Sequence, residues 1–257
     1  MPFLKDAKMP DGLRIYAIGD VHGCRDALSE VHECIRADLH HRPCGDWRIV
    51  HLGDYVDRGP DIPGVVEDLI GLVRDRRTYA LLGNHDQWFV DFLSNAATEG
   101  FIGWTTYGGI KTIEAYGGSV EAVIGGGLSA RQALRSLLLD AVPEEHIKFM
   151  TTLPHILRFG DFIFVHAGIR PGIPIEKQSV QDMIWIREPF LSSTEDLGAI
   201  VVHGHTVVRQ VEVRPNRIGI DTGAVHGGEL TCLVLEGQRQ ALLREDRLVD
   251  LPKSRTN

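Results

Sequence analysis

The sequence predicts an α/β protein whose first half carries a largely parallel sheet. Two observations carry this. Three short apolar runs, "RIYAIGD" (14–20), "RIVHLGD" (48–54) and "TYALLGN" (78–84), each end in glycine followed by an oxygen-bearing side chain. Between them lie "RDALSEVHECIRADLHH" (25–41) and "IPGVVEDLIGLVRDRR" (62–77), whose apolar residues recur at helical spacing. Strand, helix, strand, helix, strand at intervals of about thirty residues is the pattern of βαβ units, because a parallel neighbour is reached only through a long crossover.

The runs at 14–20, 48–54 and 78–84 are rich in Ile, Val, Leu and Tyr, the composition of strands buried on both faces. From about 87 to 152 the pattern changes. Helices are predicted at "QWFVDFLSNA" (87–96), "SARQALRSLLLD" (129–140) and "PEEHIKFMTTL" (143–153), broken by the glycine turns "YGGI", "YGGS" and "IGGG". The glycine run 125–127 is not a dinucleotide fingerprint, since no strand feeds it and the GxGxxG spacing is absent. This region reads as a helical insertion. Strand signals return in "FGDFIFVHAG", "AIVVHGHT", "QVEVR", "RIGIDTG" and "ELTCLVLEGQRQALLRED", the last forming a hairpin around Glu236 and Gly237. Their close spacing predicts a second, more antiparallel sheet. No linker composition divides the chain, so residues 1–257 read as one domain with an insertion at about 87–152.

Composition narrows the function. At 43% hydrophobic and 24% charged, 257 residues suffice for a substantial core. The balance of 27 basic against 35 acidic residues gives −8, which argues against a nonspecific nucleic-acid or anionic-membrane binder. No apolar run approaches the ~20 residues of a membrane span, and the N-terminus lacks the apolar core of a signal peptide; the chain reads as soluble and cytoplasmic. Cys24, Cys34, Cys44 and Cys232 form no CxxC pair and read as reduced thiols. His32, His40, His41, His146 and His155 read as solvated or structural.

The remaining polar residues gather at predicted strand ends, where open α/β sheets bind ligands. Strand one ends in Asp20 and His22 ("GDVHG"), strand two in Asp54 and strand three in Asn84 ("GNHD"); two later strands end in His166 ("VHAG") and His205 ("HGHT"). A lone aspartate there is usually a helix cap. Six ligand-type side chains at five strand ends instead suit a pair of divalent transition metals. Asp20, His22 and Asp54 would hold one ion; Asp54, Asn84, His166 and His205 the other. A water bridging two cations loses a proton readily and becomes a nucleophile near neutral pH. Phosphate-ester hydrolysis further needs neutralisation of the phosphoryl oxygens and a proton for the leaving oxygen. Arg58 can supply a bidentate clamp and His85 the proton, with Asp57 as the acidic partner that keeps His85 protonated.

"GDVHG", "GDYVDRG", "GNHD", "HAG" and "GHT", in this order, resemble the phosphoprotein phosphatase family of metallophosphoesterases, in its compact bacterial serine/threonine phosphatase branch, from residue 15 to about 235. The resemblance implies a calcineurin-like fold with a central β-sandwich of mixed sheets flanked by helices. It also implies two divalent ions, Mn2+ first with Fe, Zn, Ni or Co as alternatives, and direct in-line attack without a phosphoenzyme. By the same resemblance the six ligands stand as above, His85 and Asp57 form the acid pair, and Arg58, Asn84, His85 and Arg187 ("WIRE") contact the phosphate. His203 lies two residues from His205 on the same predicted strand, hence the same side, and is left as a supporting or core residue. His226 stands where relatives usually carry tyrosine near the site, lining the pocket or simply a loop residue; Asp221 is read as an orienter of ligands rather than a ligand.

The expected substrate is phosphoserine or phosphothreonine in a protein or peptide, with small phosphoesters or nucleotides as further candidates and no nucleic-acid or membrane partner. A symmetrical dinucleoside tetraphosphate hydrolase is the alternative; in the resemblance those enzymes usually lack the Asp-Arg pair that here is Asp57 and Arg58. A noncatalytic scaffold would be expected to have lost ligands, acid or clamp, and all are present.

Overall fold

The computed structural model describes residues 4–120, 126–245 and 247–252. Strand β1 (Leu13–Ile18) leads into α1 (Arg25–His41), β2 (Asp46–His51), α2 (Ile62–Leu72) and β3 (Thr78–Ala80), so the predicted βαβαβ order is present. Helices α3 (Asn84–Ser94), α4 (Phe101–Trp104), α5 (Ile110–Ala115), α6 (Gly127–Ala141) and α7 (Glu144–Thr151) form the middle of the chain. After them come β4 (Ile156–Phe159), β5 (Phe162–Val165), α8 (Val180–Trp185), β6 (Ile200–His203), β7 (Glu212–Val213), β8 (Arg217–Gly219), β9 (Cys232–Glu236), β10 (Arg239–Arg244) and β11 (Arg247–Asp250). No helix among the described residues is long and apolar enough to cross a membrane.

The strands make two mixed sheets, ordered β11-β10-β9-β1-β2-β3 and β4-β5-β6-β8-β7. This corrects the predicted division into a parallel sheet and a later antiparallel one. The C-terminal hairpin joins the first sheet, β9 pairing antiparallel with β1, while β5, β6 and β8 run parallel in the second. Spacing along the chain gave no warning, because a short strand of alternating apolar residues can pair with either edge.

Alternation along β1 explains the layering. Ile15 and Ala17 face the second sheet and, with Val50, Leu52 and Leu235 of their own layer, form a core against Phe162, Phe164, Val202 and Ile218. Tyr16 and Ile18 point the other way, to a core formed with α1, α2 and the helices of the insertion. Beyond the second sheet, Ile163, Val165 and Val201 pack with Met183, Ile184 and Phe190 around α8. Two stacked sheets with helices on both outer faces follow directly from the period-2 pattern of strands and the one-sided pattern of helices.

Three local expectations shift. The predicted strand 78–84 stops at Ala80, where the Leu82 N–H turns to donate to the Pro154 carbonyl. The helix expected from 87 begins at Asn84, because the Asp86 carboxylate reaches back to the Gly83 N–H and closes the first turn. "YGGI" is a π-helical joint, Thr105–Gly109, between α4 and α5, with Gly108 at φ +128°. Of the glycine run 125–127, Gly125 lies outside the described residues.

Candidate active site

Parallel pairing of β1, β2 and β3 in one sheet, and of β5 and β6 in the other, turns five carboxyl ends to one edge of the sandwich. Asp20, Asp54 and Asn84 leave the first sheet there, and His166 and His205 the second. Asp54 stands between two groups: its Oδ2 is 3.4 Å from His22 Nε2 and its Oδ1 is 3.4 Å from His166 Nε2. Asn84 Oδ1 lies 2.9 Å from both His166 Nε2 and His205 Nδ1. His22, Asp54 and His85, and again Asp54, His166 and His205, bring ligand-type atoms within 4.8 Å of one another.

The donor set fits divalent metals on two further counts. His22 Nδ1 donates to the Val56 carbonyl at 2.8 Å and His166 Nδ1 to the Leu52 carbonyl at 3.0 Å, which leaves each Nε2 lone pair facing the cluster. Burial pushes the pKa of His22 and of His205 down to about 3, so both stay neutral, the form that ligates. Second, Asp20 Oδ2 accepts the His205 N–H at 3.0 Å, but its buried Oδ1 has no hydrogen-bond partner. A buried carboxylate oxygen without a donor is the kind of group a cation satisfies. For Asp54, burial alone would raise the pKa, but His166, His85, His22 and His205 outweigh it and hold the carboxyl well below its usual range.

Backbone strain marks the same residues. Six non-glycine residues among those described have positive φ, and five are His22 (42°), Asp54 (55°), Asp57 (72°), Arg58 (67°) and His205 (62°). Such conformations persist only where surrounding contacts over-determine them. Asp86 supplies many of those contacts, accepting the N–H groups of Gly83 at 2.9 Å, Asp54 at 2.9 Å and Tyr55 at 2.8 Å. Asp86 closes "GNHD", where its sequence context carries no signal of this role. Gly83 is constrained by the same closeness: a Cβ there would come within 2.2 Å of the Asp54 N and Oδ1.

His85 Nδ1 lies 2.6 Å from Asp57 Oδ2, so the expected pair is in contact. Burial opposes charge on His85, but Asp54 and the hydrogen-bonded Asp57 outweigh it and raise the pKa. Arg58 donates to His22 Nε2 at 2.6 Å and to His85 Nε2 at 2.9 Å. The second bond requires an unprotonated Nε2, so His85 carries a proton there only when Arg58 turns away.

A cavity of about 260 Å³ opens over this cluster. Asp54, Asn84 and His205 lie at its floor with His85, Arg58 and Arg187 bring cationic groups, and Trp88, Tyr107 and Trp185 form an aromatic wall. Trp88 packs 4.5 Å from Trp185 and lies nearly parallel to Tyr107, centroids 6.2 Å apart. The wall was missed in the sequence because its members come from α3, the π-helical joint and α8, and only folding brings them together.

His203 is a buried core residue, as expected, but its shared side with His205 is corrected. It ends β6, but Gly204 and the positive φ of His205 break the strand's alternation, so the two rings do not share a side. His203 instead contacts Phe190 at 5.0 Å and accepts from Arg217 at 3.2 Å, in the layer behind the site. His226 sits on a single 3-10 turn, Ala224–His226, and is not among the described residues lining the cavity. Asp221 is buried; its Oδ1 accepts the Gly223 N–H at 3.0 Å, and after burial it is the largest influence raising the pKa of Asp20.

The calcineurin-like phosphoesterase family model matches residues 13–217. The chain belongs to that family, whose activity is metal-dependent phosphoester hydrolysis, generally with two divalent ions. Among relatives, it is 25% identical over 242 residues to the asymmetrical bis(5'-nucleosyl)-tetraphosphatase PrpE of Oceanobacillus iheyensis, covering 86% of this chain and 88% of that one. It is 29% identical over 227 residues to serine/threonine-protein phosphatase 1 of Salmonella typhimurium, covering 84% and 89%. The fold matches a putative diadenosine tetraphosphatase (TM-score 0.60, 23% identity, 96% and 98% covered) and a cold-active protein tyrosine phosphatase of a Shewanella species (TM-score 0.59, 16% identity, 96% and 84% covered).

Proposed function

We propose that this protein is a phosphomonoester hydrolase acting first on phosphoserine or phosphothreonine in proteins or peptides. The observation that carries the reading is the His85–Asp57 contact at 2.6 Å beside Arg58 and the two ligand groups. Asp20, His22 and Asp54 would hold one divalent ion and Asp54, Asn84, His166 and His205 the other, Mn2+ first. Once bound, the ions supply an activated water near neutral pH and neutralise phosphoryl charge.

The chain's own groups perform the rest. With the His22 Nε2 lone pair given to an ion, Arg58 would keep only its bond to His85; a phosphate entering the cavity draws the guanidinium off His85, and Arg58 and Arg187 then grip its oxygens. Freed of Arg58, His85 Nε2 holds a proton, because Asp57 and Asp54 favour the charged ring. The oxygen of a water that has given one proton to solvent bonds to phosphorus, the phosphorus–oxygen ester bond breaks, and the leaving alkoxide takes the His85 proton. A cavity of about 260 Å³ matches a phosphoryl group on a short side chain, and is small for a whole dinucleotide.

A second reading, cleavage of dinucleoside tetraphosphates, is favoured by the PrpE relatives and by the aromatic wall, on which a base could stack. The Asp57–Arg58 pair bears only on the symmetrical enzymes, and the PrpE relatives are asymmetrical. Phosphate release from phosphothreonine and phosphotyrosine peptides should be compared with diadenosine tetraphosphate cleavage, using Mn2+-loaded protein. Faster release from phosphothreonine is expected; cleavage of the nucleotide alone would replace the first reading with the second.

A further inference from the structure

Asp57 is fully buried and strained, yet neither metal group uses it. What holds it comes from the insertion. The Trp104 indole N–H lies 3.0 Å from Asp57 Oδ1 and 3.1 Å from Oδ2. The Thr112 hydroxyl donates to Oδ1 and accepts the Asp57 N–H at 2.9 Å, so one side chain fixes both the carboxylate and its positive-φ backbone. Trp104 and Thr112 are themselves buried, which removes water as an alternative donor.

The π-helical joint between them holds Arg58 as well. The Tyr107 carbonyl accepts from Arg58 Nε at 3.0 Å and the Gly108 carbonyl accepts the Arg58 N–H at 3.3 Å. Two glycines are needed for this approach. A Cβ on Gly109 would lie 2.5 Å from the Trp104 ring, and one on Gly108 would lie 2.5 Å from Arg58 Cγ. The "YGGI" turn is thus shaped around the two residues it serves.

We infer that Trp104 and Thr112 are positioning residues for the general acid: they fix the rotamer of Asp57 so that Oδ2 meets His85 Nδ1, and the insertion thereby sets how well His85 protonates a leaving group. This rests on the proposed role of His85. Oδ1 is occupied by Thr112, and Oδ2 is left to the imidazole with a shared indole contact. A carboxylate lacking these donors would rotate or recruit water, and the acid would lose its alignment.

The test uses leaving-group dependence, which loss of fold or of metal would not change selectively. A phosphothreonine peptide expels an alkoxide and needs the acid; 4-nitrophenyl phosphate expels a stabilised phenoxide and needs it much less. With metal-loaded full-length protein, Trp104→Phe and Thr112→Val should each lower the ratio of peptide rate to aryl rate by about tenfold or more. Thr112→Ser, which keeps the hydroxyl, should restore the ratio. An unchanged ratio in both variants, or equal loss on both substrates, overturns the inference. His85→Asn separates the two levels. If it leaves the ratio intact, the acid assignment falls and this inference with it; if it lowers the ratio while the Trp104 and Thr112 variants do not, only the positioning role falls.

Discussion

At the scale of single residues, Asp54, Asp57 and Arg58 sit within five positions and meet different partners. The Asp54 oxygens face two candidate ligand groups, Asp57 contacts His85, and Arg58 donates to both His22 and His85. Asp54→Asn should abolish both metal occupancy and turnover, read by metal analysis and phosphate release. Arg58→Ala should retain the metals and lose about 100-fold in kcat/KM, with weaker inhibition by inorganic phosphate. Equal metal loss in the two variants would defeat this division of roles. The motif residues were legible because each carries a distinctive side chain at a strand end. Trp104 and Thr112 were not, since they lie 47 and 55 positions from Asp57 and their own surroundings read as ordinary helix.

At the scale of elements, α1 and β2 are joined through His32 and His51, whose Nε2 atoms lie 2.9 Å apart and share one proton between two neutral rings. The sequence left His32 solvated or structural, and its burial decides for the structural role. Burial, then Arg36, lowers the pKa of His32 to about 4; burial, then His32 itself, lowers that of His51 to about 3. In the unfolded chain both rings titrate near about 6.5. The pair's contribution is therefore complete above that value, and it declines as pH falls from there towards 4, where the unfolded state takes up protons that the native pair refuses. Urea denaturation at about pH 7 and about pH 5 should show the wild type losing more stability on acidification than His32→Gln. Identical pH dependence in both proteins would exclude the pair as its source. A second element-scale expectation concerns the turn into α3: Gly83→Ala should cost about 1–3 kcal/mol and lower activity, since the added methyl collides with both the backbone N and the Oδ1 of Asp54.

At the scale of the whole molecule, the layer between the sheets holds the strand ends in register without touching the chemistry. Leu235 in β9 pairs with Ile15, at the end of β1 remote from Asp20. Leu235→Ala should therefore cost about 2–5 kcal/mol in denaturation, while the folded fraction keeps its metal content and turnover. Loss of metal from the folded protein would mean that the sandwich core and the site are coupled more tightly than the layering implies. The pairing of β9 with β1 was unreadable in advance, because sheet edges are chosen by what remains to be covered once the early strands have paired.

The sequence by itself determined the βαβ order, the strand-end residues Asp20, His22, Asp54, Asn84, His166 and His205, and the Asp57, Arg58 and His85 trio, since these follow from local periodicity and side-chain chemistry. Only the tertiary structure decided which sheet the C-terminal strands join, that His203 turns away from the cluster, that Trp88, Tyr107 and Trp185 form one wall, and that the insertion grips Asp57. Each of these depends on contacts between segments far apart in the chain, and such contacts leave no periodic signature in either partner's sequence.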